Sequence, residues 1–127
     1  MSKVVFDASA ILAAVIGEPG GDTVLKQIRN STVSTVNLSE AQAKLVRRGF
    51  PPDDAWESAL TFCNEIVAFD SRQARLAGAM IATTQPFGLS FGDRACLALA
   101  LLLGAPVYTA DRLWKKLPLD LEIRPLR

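Results

Sequence analysis

The chain contains no histidine. That excludes Ser-His-Asp and Cys-His nucleophilic catalysis, histidine-based zinc sites, and phosphodiester chemistry that uses two histidines as acid and base. Chemistry must come instead from carboxylates, hydroxyls, lysine, arginine or a bound metal. Cysteine is scarce: Cys63 and Cys96 are the only two, and neither belongs to a Cys-x-x-Cys pair. Two reduced thiols in a core are expected. There is no long hydrophobic run either. The longest nearly unbroken stretch, Ala95 to Tyr108, is interrupted by Gly104 and Pro106. It falls short of the ~20 residues of a membrane span and reads as a buried helix followed by a buried strand. Met1-Ser2-Lys3 leads straight into Val4-Val5-Phe6 without a signal-peptide pattern, so a cytoplasmic protein with no membrane association is expected.

The 127 residues fit one domain spanning 1–127, with enough chain for a hydrophobic core without staples. Half of the residues are hydrophobic and mean hydropathy is +0.23. In so small a chain that surplus hints at a subunit interface.

Short apolar strands alternate with helical segments. Strands are predicted at Lys3–Phe6, Thr32–Val36, Ile66–Phe69, Pro106–Thr109 and Leu121–Arg124. Helices are predicted at Ala8–Ile16, Asp22–Arg29, Asn37–Arg48, Pro51–Phe62, Ser71–Thr84 and Ser90–Leu103, with a helical turn over Leu113–Lys116 and a loop over Gln85–Leu89. Asn37-x-x-Glu40 reads as a capping box, and Asp22, Asp53, Asp54 and Asp70 read as helix caps. No hairpin signal joins neighbouring strands. The pattern predicts an α/β/α sandwich with a short, mostly parallel central sheet.

Ligands of open parallel sheets bind beyond the carboxyl ends of the strands. Asp7 directly follows the first strand, and Asp111 follows Val107-Tyr108-Thr109. Glu40 lies shortly after the second strand, and Asp93 falls in the first turn of the Ser90–Leu103 helix. Singly, each acid reads more readily as a cap than as a ligand. Four in matching contexts on one edge read differently, because clustered carboxylates repel unless a cation sits among them. Oxygen-only ligands favour Mg²⁺ or Mn²⁺. Ser9, Ser39 and Thr109 each stand near an acid and are candidates to orient a carboxylate or metal-bound water. Fourteen basic residues stand against nine acids outside this cluster, although the net charge is only +1.

At these residues the chain resembles the PIN-domain nucleases, specifically the small VapC-type toxins of toxin–antitoxin modules. Val4-Val5-Phe6-Asp7-Ala8-Ser9-Ala10 is similar to the family's opening strand and first acid, and Leu38-Ser39-Glu40 to its second. The run from Leu89 through Asp93 to Ala100 resembles the third, and Val107-Tyr108-Thr109-Ala110-Asp111 the fourth. Arg112 and Leu113 follow Asp111, where many relatives carry a further acid. The resemblance implies Mg²⁺- or Mn²⁺-dependent endoribonuclease activity at Asp7, Glu40, Asp93 and Asp111, a homodimer, and inhibition by a cognate antitoxin. It also makes Lys44, Arg47, Arg48, Arg94 and Arg112 candidates for contact with RNA, with Lys115 and Lys116 behind them. Trp56 and Trp114 read as core or interface residues.

Beside a non-catalytic binding module of the same fold, against which retention of all four acids argues, two rivals remain open at this point. One is a PIN nuclease of RNA processing with no antitoxin. The other is a phosphotransfer enzyme built on an aspartate after strand one. The haloacid-dehalogenase version wants a second aspartate two residues on, where this chain has Ser9.

Overall fold

The computed structural model describes residues 2–127. The elements in chain order are β1 (Val4–Phe6), α1 (Ala8–Ile16), α2 (Gly21–Leu25), β2 (Ser31–Ser34), α3 (Thr35–Arg47), α4 (Pro52–Leu60), β3 (Glu65–Val67), α5 (Ser71–Ala79), α6 (Ile81–Thr84), α7 (Phe91–Leu103), β4 (Val107–Thr109) and β5 (Ile123–Pro125). Short 3₁₀ turns lie at Ile28–Asn30, Gln85–Phe87 and Arg112–Lys116. All strand pairings are parallel, in the order β3-β2-β1-β4-β5. The expected α/β sandwich with a parallel sheet is what forms.

Strand β1 is buried on both sides and shows how the layers divide. Val4 and Phe6 pack with α1, α3 and α4, whereas Val5 packs with α7, Ala77 of α5 and Trp114. This follows from side chains alternating across a strand. A strand covered on both faces needs an unbroken apolar run, which Val4-Val5-Phe6 supplies. α1 ends where Gly17 takes a left-handed conformation (φ 72°), and α7 ends the same way at Gly104 (φ 62°). Among the described residues no helix is long and apolar enough to cross a membrane.

Several boundaries differ from the sequence expectation. Val36 was expected to end a strand and Asn37 to open a helix as a capping box. Instead Ser34 caps α3, accepting from the Val36 N–H, and the helix begins at Thr35. The β-branched run Thr32–Val36 reads locally as a strand, but only the part paired with β1 and β3 stays extended. The helix expected over Ser71–Thr84 is divided at Met80, with α6 a separate short turn. Asp70 does cap α5, accepting from the Gln73 N–H, and Ser90 caps α7. Asp22, Asp53 and Asp54 lie in first turns whose cap residues are Gly20 and Pro51, so they serve only the helix dipole. Cys63 and Cys96 are free thiols, half-buried and buried.

Candidate active site

The strand order reverses at β1. The chain leaves β1 toward β2 and β3, then returns to the other side through β4 and β5. Such a switch point opens a crevice beyond the carboxyl ends of the two central strands. A pocket of about 260 Å³ lies there, lined by Asp7, Ala8, Ser9, Glu40, Lys44, Asp93, Thr109, Ala110, Asp111 and Trp114. All four acids singled out in the sequence share this one space, although they come from four separate segments.

Each acid is held by the local structure that carries it. Asp7 is the N-cap of α1, with Oδ1 accepting from the Ala10 N–H at 2.9 Å and from Ser9 Oγ at 2.6 Å. Its Oδ2 accepts from Thr109 Oγ1 at 2.6 Å, which ties β1 to β4 across the pocket floor. Asp93 completes a capping box on α7: its Oδ2 accepts from the Ser90 N–H while Ser90 Oγ accepts from the Asp93 N–H. Asp111 caps the last 3₁₀ turn through Oδ1 and the Leu113 N–H. Glu40 lies in the second turn of α3, not the first as expected, because the helix starts earlier. Asn37, one turn back, donates to Glu40 Oε1 and to the Gly92 carbonyl, both at 3.0 Å. For Asp93, Asp111 and Glu40 one carboxylate oxygen is thus engaged, and the other takes no hydrogen bond from the described residues. The cap and the ligand readings of these acids are therefore compatible: a cap uses one oxygen and leaves the other.

The electrostatics are those of an unneutralised acidic pocket. Among the described residues the two ion pairs join Lys3 to Glu65 and Arg124 to Glu122, so none of the four acids is paired. Burial pushes the Asp7 carboxyl up to about 6, against hydrogen bonds from Ser9, Thr109 and Ala10 that favour its ionised form, with a smaller upward push from Asp93. The Cys96 thiol, buried behind the pocket, is raised first by desolvation and then by the charges of Asp7, Asp93 and Glu40.

The supporting residues fall partly as expected. Ser9 and Thr109 bond directly to Asp7, and they knit the floor further through Ser9 Oγ to the Ala110 N–H and Thr109 Oγ1 to the Asp111 N–H. Ser39 does not join them; it faces solvent on α3 and bonds to none of the acids. Asn37 takes that place. Its position three residues before Glu40 was read as a cap, whereas a side chain one helical turn from an acid also lies on the acid's own face. Gly92 was missed as well. A Cβ there would collide with the Glu40 carboxyl, so glycine lets α7 bring Asp93 against α3. Of the basic candidates only Lys44, one turn beyond Glu40, lines the pocket. Arg47, Arg48 and Arg112 are exposed outside it, as are Lys115 and Lys116, and Arg94 lies half-buried against Phe91. Trp114 is buried in the core at the pocket edge, and Trp56, on α4, packs half-buried against the core shared with α1 and α3.

The donor set suits a hard divalent cation: all oxygen, anionic, and without a basic partner. Among the described residues no three of these groups already form a closed ion cage. Repulsion keeps carboxylates apart until a cation draws them together. The oxygens of Asp93, Asp111 and Glu40 that take no hydrogen bond from the described residues, together with Asp7, are the candidates to hold one.

The PIN domain family model matches residues 4–119. The chain belongs to the PIN domain family. The fold is also that of chains in three solved complexes. DNA-bound VapBC from Salmonella typhimurium matches with TM-score 0.77 at 17% identity, covering 100% of both chains. A toxin–antitoxin complex from Klebsiella pneumoniae matches at 0.74 and 16%, covering 98% of each. VapBC2 from Rickettsia felis, bound to a DNA fragment from its promoter, matches at 0.73 and 17%, covering 96% of this chain and 97% of that one. No curated protein sequence matches.

Proposed function

We propose that this PIN domain is a Mg²⁺- or Mn²⁺-dependent endoribonuclease and the toxin of a toxin–antitoxin pair in the cytoplasm. The observation that carries the reading is the convergence of Asp7, Glu40, Asp93 and Asp111 on one pocket at the sheet's switch point, with no cationic side chain paired to them. Family membership and the toxin–antitoxin complexes that share the fold support the same reading.

In this reading a bound divalent ion supplies a Lewis acid for the scissile phosphate and lowers the pKa of a coordinated water. The chain's own residues do the rest. Asp7 is fixed in one rotamer by Ser9, Ala10 and Thr109, so its carboxylate is oriented before substrate arrives. Asn37 orients Glu40 in the same way. Lys44, at the pocket wall, is placed to meet a phosphate oxygen. Hydrolysis by this route needs no histidine.

The proposed partners are RNA as substrate, an antitoxin that presents an arginine or lysine to the four acids, and a second copy of the chain; the toxin–antitoxin complexes that share the fold support the antitoxin. The decisive experiment is cleavage of structured RNA with Mg²⁺ or Mn²⁺. EDTA should abolish it, and Asp7→Asn should reduce it by orders of magnitude. Unchanged cleavage by Asp7→Asn, or cleavage indifferent to EDTA, would remove the proposal.

A further inference from the structure

Phe91 opens α7 and is 51% exposed, one of the few large apolar side chains left in solvent. Its ring is nevertheless held. Phe69 meets it edge to face, with centroids 5.5 Å apart and planes at 86°. The Arg94 guanidinium lies 5.9 Å from its centroid. Arg94 has no ion pair among the described residues, and its Nε is buried without a hydrogen-bond partner. An aromatic ring held by an edge-to-face neighbour and by a guanidinium over it, yet half exposed, is a preoriented flat surface with a cation in contact.

The position of that surface matters more than its exposure. Gly92, between Phe91 and Asp93, is seated against Glu40 and anchored by Asn37 through its carbonyl. The first turn of α7 therefore carries the ring and one of the pocket acids on a common anchor. Phe69 follows β3, and its N–H donates to Thr35 Oγ1 at the start of α3. At the carboxyl edge of the sheet, Phe69 thus stands beyond β3 with Phe91 against it, while Asp7 and Asp111 stand beyond β1 and β4. Neighbouring strands are about 4.8 Å apart, which puts ring and acids on the order of 10 Å from each other along one edge. Arg72, exposed in the first turn of α5, adds positive charge at the same end.

We propose that Phe91, with Arg94 at its ring, is a base-stacking platform for a nucleotide one removed from the scissile phosphate of a single-stranded RNA. This rests on the ribonuclease reading above and adds the form of the substrate: an unpaired strand laid along the sheet edge, one base on Phe91, the next phosphate near Arg94 and the following one at the acids. A purely apolar partner would have no use for the unpaired guanidinium, and a duplex could not give its base face to the ring. Stacking on an aromatic side chain tolerates any base, so the platform sets single-strandedness and not sequence.

The test separates this from the ribonuclease reading. In an Asp7→Asn background, where the strand stays intact, binding of a short labelled oligoadenylate is compared by anisotropy with that of an abasic strand of equal length and charge. Phe91→Leu should weaken the oligoadenylate by roughly 5- to 100-fold, Phe91→Tyr should restore it, and the abasic strand should not distinguish the three. Arg94→Gln should weaken both strands and flatten the salt dependence. Melting temperatures confirm that each variant is folded. Equal binding of oligoadenylate by Phe91→Leu overturns the platform while leaving the nuclease standing. So does a shift from dimer to monomer on mutating Phe91, which would make it a contact between copies. Failure of the wild type to cleave RNA overturns both.

Discussion

Asp7 caps α1 through the Ala10 N–H, ties β1 to β4 through Thr109, and lines the acidic pocket. The first two tasks favour a fixed carboxyl group, whereas the third requires it to be charged in a buried place. The conflict is visible in its pKa near 6, against 3.8 ordinarily. Without metal, the sign is clear. Below about pH 4 the carboxyl is neutral in both folded and unfolded chains. Between 4 and 6 only the folded chain keeps the proton, and above 6 the folded chain carries a buried charge. Stability from this group is therefore full below pH 4 and lost as pH rises through 6. Asp7→Asn removes the loss, although its amide nitrogen cannot accept from Ser9 or Thr109. In EDTA, its advantage over wild type should grow from pH 4 to 6 and level off at about 1–3 kcal/mol. Melting curves across that range check it, and a pH-independent difference would contradict the burial argument. Asp7→Ala, by contrast, should lose the cap, costing about 0.5–2 kcal/mol.

At the scale of elements, the contact of α3 with α7 brings Glu40 and Asp93 into one pocket, and Gly92 permits it. Gly92→Ala should leave folding almost unchanged, since the group it strikes is the end of a flexible side chain and alanine favours a helix. Metal-dependent cleavage should nevertheless fall, by on the order of 100-fold, because Glu40 must move. A variant that melts like the wild type and cleaves like it would refute this. The same contact marks the limit of what the sequence discloses. Asp7 and Asp111 are legible because they directly follow apolar strands, and Asp93 because Ser90 announces a helix. The parallel sheet is legible from alternating strands and helices without hairpin turns. The start of α3 is not, since Thr35 and Val36 carry strand propensity and only the end of pairing with β1 and β3 releases them. With that start misplaced, Asn37 reads as a cap, and its reach across to the Gly92 carbonyl, 55 residues away, stays hidden. Ser39 fails for the same reason: adjacency to an acid in sequence is not adjacency on a helix, where residues three or four apart share a face.

For the molecule as a whole, the proposed dimer rests on the apolar surplus of so small a chain, half of whose residues are hydrophobic. Light scattering at micromolar concentration should return twice the 13.7 kDa chain mass, and a clean monomer there would exclude it. The sheet order carries a different consequence. β1 lies in the middle, its partner on one side is β4, and the hydrogen bond that closes the pocket floor spans 102 residues. Contacts this distant in sequence form late in folding. During synthesis at ~5–20 residues per second, roughly 5–20 s separate the emergence of Asp7 from that of Thr109. Throughout that interval Asp7 is on the growing chain, but Asp111 is still to be made and no pocket exists. On the proposed function, a nascent chain still attached to the ribosome, amid abundant RNA, would carry no assembled nuclease site until its last strands are made.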